Sequence, residues 1–329
     1  MKLAMIGCGN FARQLHGPAQ RRCADRDSGL VLAACCDMAA DRAREYAAAF
    51  GFARSYADAA AMLAAERPDA VIMAVPPPVT AEAASQVLAL GFPLLLEKPP
   101  GLTAAELERL IAAADRGRAR AQVGFNRRHM PVVREARRIL AESFAAAPIV
   151  NVDYAMLRYD RWDADFSTTA VHAIDAVRHL AGSAFLRARL AYQPMAAGGR
   201  ETVAVEVDLD CESGARVRLT IQPAAGYNTE TARLHAVGQS LLVTIPFPGR
   251  RLGDGTVEHW RGDELVAQYS DGGAAAEEKM GVVAETEAFL SAVSSGAALA
   301  PGLRDCRQQV ALMEAMRQRR TAVDFIPQP

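Results

Sequence analysis

Three groups of residues have types and spacings that suit chemistry. Glu97 and Lys98 follow the apolar run Pro93–Leu96 and precede two prolines that end any strand or helix. An ammonium at the end of a core strand is costly to desolvate unless something pairs with it. This lysine therefore either caps a surface turn or faces a ligand. Thr168, His172, Asp175 and His179 recur at a spacing that puts them on one stripe of a helix. Phe166, Val171, Ile174 and Val177 flank that stripe, which suits a helix with one side in a wet cleft. Near the N-terminus, Gly7-x-Gly9-x-x-Ala12 follows an apolar run and, through Asn10 and Phe11, opens a helical pattern. Glycines there let the backbone turn tightly and approach a pyrophosphate, whose charge is held by free amides at the helix N-terminus. Asp37 ends the next apolar run, about 25 residues past Ala12 against the ~20 typical of such a fingerprint. A carboxylate at that point can accept both hydroxyls of an adenosine ribose and repels a 2′-phosphate, which favours NAD over NADP. A helix N-cap is the alternative for Asp37.

The elements that position these residues alternate in the first third of the chain. The apolar runs KLAMIG, LVLAACCD, AVIMAVPPP, PLLLEKPP and RAQVGFN are separated by helical patterns over Asn10–Cys23, Asp41–Phe50, Ala57–Glu66, Thr80–Leu90 and Thr103–Arg116. Thr103 and Glu106 make a capping box for the last of these. Strands buried on both faces and joined by helices imply a parallel, doubly wound sheet, with its ligand outside the carboxyl ends of the strands. Gly17 and Pro18 predict a kink or restart in the first helix.

Further on, Asp165–Gly182 reads as one helix ended by glycine. Beyond Leu186 the runs TVAVEVDLDC, ARVRLTIQP, TARLHAVGQSLLVTIPF, TVEHWRG and ELVAQYS alternate apolar with polar residues, as an antiparallel sheet packed on helices does. Closing helices are predicted over Glu277–Ser295 and Arg304–Arg320. Tyr154, Tyr159, Trp162 and Tyr227 are candidates to stack on a sugar, although aromatic residues in sheets more often serve the core. The fold expected is α/β: a dinucleotide-binding domain over 1–122 and a second α/β domain over 123–329 with a large, mostly antiparallel sheet.

Composition narrows the partners. A chain of 329 residues is long enough for two cores, and a net charge of −1 gives no electrostatic footprint for nucleic acid or an anionic membrane. No segment approaches the ~20 apolar residues of a membrane span, and MKLAMIG has too few for a signal peptide. The six cysteines are scattered without metal or redox spacing. Reduced buried thiols, no metal and a cytoplasmic location are the expectations.

Together, IGCGNFA, AVPPPVTAEA, LLLEKPPG, GFNRRHMP and TTAVHAID resemble the glucose–fructose oxidoreductase, inositol dehydrogenase and rhizopine-catabolism (Gfo/Idh/MocA) family, in matching order over nearly the whole chain. The Glu-Lys-Pro after what is the family's fifth Rossmann strand, here the run PLLL, is the most specific mark. The resemblance implies reversible hydride transfer between a nicotinamide cofactor and a secondary alcohol of a sugar, cyclitol or polyol. It also implies that the second domain's sheet serves as a subunit interface in a homodimer or homotetramer. On the same ground Lys98 is the acid/base, Glu97 fixes the nicotinamide half, and the Lys98–Pro99 peptide is cis. The cation NAD⁺ and a desolvated cleft both lower an ammonium pKa, which makes Lys98 a more competent base. Val75, Pro76 and Pro77 are expected to form a loop beneath the nicotinamide ribose, and Thr80 replaces a histidine common in the family.

Asn126 and Arg127 are substrate-binding candidates, with a surface or interdomain ion pair as the alternative for the arginine. The resemblance assigns His172 to assist Lys98, relaying the proton or orienting the hydroxyl, and Asp175 either meets it through solvent or makes a structural helix contact. The departure is Thr168, where catalytic members carry an aspartate; threonine brings no charge. Lys98 and His172 then act alone, or Asp163 or Asp165 fills the gap, or the chemistry differs. A redox-neutral, NAD-dependent glycoside-cleaving enzyme and a non-catalytic NAD-binding protein are the other readings.

Overall fold

The computed structural model describes residues 1–144, 148–163, 165–247 and 253–325. Each apolar run of the first third becomes a strand because its side chains are enclosed on both faces. The strands are β1 (Lys2–Ile6), β2 (Val31–Cys36), β3 (Arg54–Tyr56), β4 (Ala70–Met73), β5 (Leu94–Glu97) and β6 (Ala121–Gly124). Among the described residues they form a six-stranded parallel sheet in the order β3-β2-β1-β4-β5-β6. The order reverses at β1, between β2 and β4, so the crevice for a ligand opens at the carboxyl end of β1. Strand β3 is not among the five runs expected; three residues are too few to carry a period.

The helices of this part are α1 (Gly17–Arg26), α2 (Ala40–Phe50), α3 (Ala59–Glu66), α4 (Pro77–Ala89) and α5 (Ala104–Gly117). A π-helical turn, Ala12–His16, precedes α1, and the Gly17 N–H donates to the Ala12 carbonyl five residues back. Pro18 has no N–H to continue the ladder, so the turn widens where the kink was expected. Helix α4 starts at Pro77 rather than Thr80, because proline suits the first helical position, whose N–H has no helical partner. Pro77 is thus corrected from loop to helix. At α5 the Glu106 N–H donates to Thr103 Oγ1 at 3.1 Å, and Leu102 N–H donates to Glu106 Oε2 at 2.6 Å.

The rest of the chain holds α6 (Pro131–Ser143), β7 (Asn151–Tyr159), α7 (Ser167–Ala181), β8 (Phe185–Ala197), β9 (Arg200–Cys211) and β10 (Arg216–Ala225). These are followed by β11 (Thr229–Ala236), β12 (Gln239–Ile245), β13 (Thr256–Arg261), β14 (Glu264–Ser270), α8 (Ala276–Lys279), α9 (Val282–Ser295), α10 (Arg307–Arg317) and β15 (Ala322–Asp324). Gly281, at φ 74°, separates α8 from α9 where one helix was expected.

Packing divides the chain into Met1–Asn126 with Gly281–Val310, and Arg127–Met280 with the chain from Ala311. That differs from a division into 1–122 and 123–329. Helix α9 joins the first unit through Arg26–Glu287 at 2.8 Å, and Val123 N–H donates to Pro301 O at 2.9 Å.

In the second unit, nine strands run in the order β14-β13-β12-β11-β7-β10-β9-β8-β15. All described pairs are antiparallel except β7 with β10. Helices α6 and α7 cover one face. Alternation sorts the side chains: on β10, Val217, Leu219 and Ile221 are buried while Arg216 and Arg218 are exposed. The β13–β14 hairpin closes through Gly262 and Asp263 at φ 57° and 69°, a turn whose twist matches the strands. No helix among the described residues is long and apolar enough to cross a membrane.

Candidate functional site

In the first unit the unusual residues gather at the carboxyl edge of the sheet. Gly7 follows β1 with φ 90°, and its N–H donates to Cys36 O at 2.8 Å. A Cβ on Gly7 would lie 2.2 Å from the Ala74 carbonyl oxygen and 3.1 Å from Val75 Cγ1, so no other residue fits. A Cβ on Gly9 would meet nothing within 4 Å, so open space lies over the middle of the loop. Asn10 and Phe11 are exposed and Ala12 is buried. This is a cradle a pyrophosphate fits, open above the glycine and lined by first-turn amides that have no helical acceptor.

Asp37 lies just past β2. Its Oδ2 accepts the Cys8 N–H at 2.9 Å and its Oδ1 the Ala39 N–H at 2.9 Å, with Arg42 Nε 3.4 Å from Oδ1. Ala39, not Asp37, is the N-cap of α2. Each carboxylate oxygen keeps lone-pair capacity for a ribose hydroxyl. Beyond β4, Val75 is half-buried and Pro76 exposed. The buried Thr80 hydroxyl lies 3.1 Å from Pro76 O and 3.4 Å from Val75 O, which ties α4 back to the strand end.

Beyond β5, Lys98 is half-buried and the Lys98–Pro99 peptide is cis. Glu97 is not alone: His16 Nε2 lies 2.8 Å from its Oε1, and the imidazole is 1% exposed. His16 stands alone in the sequence, without the spacing that marks the other site residues. The signal is a histidine in the turn that Pro18 distorts, on the helix that opens at the glycine loop. Asn126 ends the first unit and is buried.

In the second unit, α7 carries the predicted stripe. His172 is buried, Thr168 and His179 are half-buried, and Asp175 is fully enclosed. Asp175 accepts Arg128 Nε at 2.8 Å and Nη2 at 2.6 Å, which is the structural helix contact expected as the alternative to a solvent link with His172. Burial, and then the charge of Arg128, push His129 and His179 down to about 4.

Arg127 likewise forms an ion pair, the alternative to substrate binding for this arginine. Its Nε and Nη2 donate to Glu230 at 2.6 and 2.9 Å, with both residues buried. Tyr154 and Arg158 also donate to Glu230. Burial alone would raise the Glu230 pKa, but Arg127 and Arg158 outweigh it and hold it at about 2. A guanidinium fork needs a planar carboxylate, and here the protein supplies one itself.

Asp163 and Asp165, the substitutes considered for the missing carboxylate, are engaged elsewhere. Asp163 accepts from Arg161 at 2.8 Å; Asp165 accepts the Ser167 N–H at 3.0 Å and Arg317 Nε at 2.7 Å. Tyr154 belongs to the Glu230 cluster, Tyr159 and Tyr227 are exposed, and Trp162 Nε1 donates to Asp160 at 2.6 Å. Among the described residues, no group of three or more His, Cys, Asp or Glu could hold a metal ion.

A parallel sheet in this strand order, with a glycine cradle at its switch point and an acid after β2, defines a dinucleotide-binding Rossmann protein. Residues 1–125 match the model of the oxidoreductase family with an NAD-binding Rossmann fold, GFO_IDH_MocA. That match spans the six strands of the parallel sheet. D-apiose dehydrogenase of Paraburkholderia graminis is 35% identical over 147 residues, which is 45% of this chain and 38% of that protein. Inositol 2-dehydrogenase of Ralstonia nicotianae is 24% identical over 93% of this chain and 89% of its own. A solved levoglucosan dehydrogenase, in complex with NADH and L-sorbose, superposes with a TM-score of 0.82 at 20% identity, covering 100% of this chain and 99% of that one. That likeness carries the two-domain fold.

Proposed function

We propose that this protein transfers a hydride reversibly between NAD and a secondary alcohol of a sugar, cyclitol or related polyol, with Lys98 as acid/base and His172 assisting. The observation that carries the reading is the position of Lys98, directly after β5 on the same sheet edge as the glycine cradle and Asp37. Relatives named for apiose and inositol support the substrate class.

When bound, the nicotinamide ring supplies the hydride acceptor or donor. Gly7 to Ala12 hold the pyrophosphate on backbone amides, and Asp37 takes the adenosine ribose, which favours NAD over NADP. The Lys98 amine takes the hydroxyl proton as the substrate's C–H hydride departs, and returns it to the alkoxide in the reverse direction. His172 orients the hydroxyl or relays the proton, and Thr168 beside it contributes one neutral hydrogen bond in place of a carboxylate. Secondary alcohol and NAD⁺ thus give ketone, NADH and one proton. A homodimer or homotetramer through the exposed face of the nine-stranded sheet belongs to the same reading.

The test is a screen of cyclitols, aldoses and anhydrosugars with NAD⁺, scored by net NADH. Turnover that Lys98→Ala lowers by at least about a hundredfold supports the proposal, since a positioned acid/base contributes roughly 10²–10⁴-fold. Cleavage of an aryl glycoside with no net NADH replaces it by redox-neutral chemistry. NADH binding with no turnover of any of these leaves a cofactor-binding protein.

A further inference from the structure

We infer that His16 is a positioning residue for the nicotinamide half of the cofactor, acting through Glu97; the inference rests on the hydride-transfer reading above. His16 comes from the π-helical turn that follows the glycine cradle, and Glu97 from the end of β5. Their side chains meet at 2.8 Å, with His16 1% and Glu97 11% exposed. A carboxylate only accepts, so Nε2 carries the proton that Glu97 receives. Nδ1 is buried and has no hydrogen-bond partner among the described residues. The ring also packs edge-on against Phe11, at 5.5 Å between centroids, and Phe11 is itself 39% exposed beside the cradle.

A histidine sealed from water with one nitrogen on the acid that precedes Lys98 fixes that acid's rotamer. The Glu97 carboxylate lies against Gly124 of β6, where a Cβ would stand 3.3 Å from Oε1, and His16 contacts the same oxygen. The widened turn explains how the histidine comes to lie there, because a π-turn re-phases the side chains of a helix where function requires it. His16 thereby couples the loop that takes the pyrophosphate to the strand end that receives the nicotinamide.

The experiment compares binding of NADH and of ADP-ribose, which lacks the nicotinamide, by wild-type protein, His16→Leu and His16→Gln. Expected for His16→Leu is a loss of NADH affinity of roughly tenfold or more, the scale of one hydrogen bond to a charged group, with ADP-ribose affinity within about twofold. His16→Gln, whose amide can still donate to Glu97, is expected to recover most of the loss. Equal weakening of both ligands shows a merely structural role and overturns the inference, as does no weakening of either. A wild-type protein that binds ADP-ribose but no tighter to NADH overturns it too. If the wild type binds neither ligand, the hydride-transfer reading falls and takes this inference with it.

Discussion

Arg128 grips Asp175 through two parallel hydrogen bonds, 2.8 Å from Nε and 2.6 Å from Nη2, and the carboxylate they reach is 0% exposed. The acid sits one turn after His172 on α7, so the pair fixes that helix against the 3-10 turn Asn126–His129 that supplies Arg128. Removing Asp175 would take away the carboxylate that balances a guanidinium in a poorly solvated place. Asp175→Ala is expected to lower the free energy of unfolding by ~3–5 kcal/mol, read from urea titrations. A variant as stable as the wild type, yet impaired in substrate KM, would return Asp175 to the substrate-binding set.

Glu230 makes a second, acid-sensitive prediction. Its folded pKa, about 2, lies below the ordinary value of 4.5 because Arg127 and Arg158 outweigh the cost of burial. A depressed carboxylate contributes in full above its unfolded pKa and loses that contribution as pH falls through its folded one. Stability should therefore decline between pH 4.5 and about 2 more steeply in the wild type than in Glu230→Gln. At neutral pH the same variant is expected to be weaker by ~3–5 kcal/mol, since two buried arginines lose their acid. Urea midpoints measured across that range check both statements; parallel pH profiles for the two proteins would refute the first.

His129 and His179 act in a different window. Burial first, and then the positive charge of Arg128, depress both from 6.5 to about 4. The unfolded chain binds protons at these positions between pH 6.5 and 4 while the folded chain does not, so stability rises with pH across that interval. Acidification from pH 7 to 4 is expected to cost roughly 3 kcal/mol for each histidine, at ~1.4 kcal/mol for each tenfold difference in proton affinity between the folded and unfolded chain. His129→Asn and His179→Gln should each flatten the profile in that window, as followed by thermal unfolding in a series of buffers.

The parallel sheet was legible because buried strands and amphipathic helices leave long periodic runs, as in AVIMAVPPP before α4. Strand β3 was not, since Arg54–Tyr56 is three residues of mixed exposure. Strands β7 and β8 escaped for another reason: β7 precedes the alternating block in the chain but lies at the middle of its sheet, a long-range pairing that local pattern cannot announce. Gly7, Gly9, Asp37 and Lys98 were visible because each breaks the local pattern at a strand end. Arg127 and Asp175 were named by their motifs, but their partners, Glu230 and Arg128, come from the three-dimensional pairing of side chains. His16 was missed because a lone histidine in a helix carries no spacing, and its partner lies on another strand.

Cofactor preference gives the last prediction. In the proposed NAD complex the Asp37 carboxylate would face the adenosine ribose; it is held by the Cys8 and Ala39 amides at 2.9 Å each. Arg42 lies on the same side, 3.4 Å from Oδ1, and is half-exposed. While Asp37 is ionised, that arginine partly neutralises the acid and is poorly free to meet a phosphate. Asp37→Ser removes the repulsion, keeps one hydrogen-bonding group for the amides, and releases Arg42 for a charge-assisted contact. The ratio of kcat/KM for NAD over NADP is expected to fall by roughly tenfold or more, equivalent to ~1.4 kcal/mol of discrimination. Initial rates with both cofactors at one substrate concentration measure it. A ratio that stays put, with NAD use reduced and NADP use no better, would show that the acid organises the loop without selecting the cofactor.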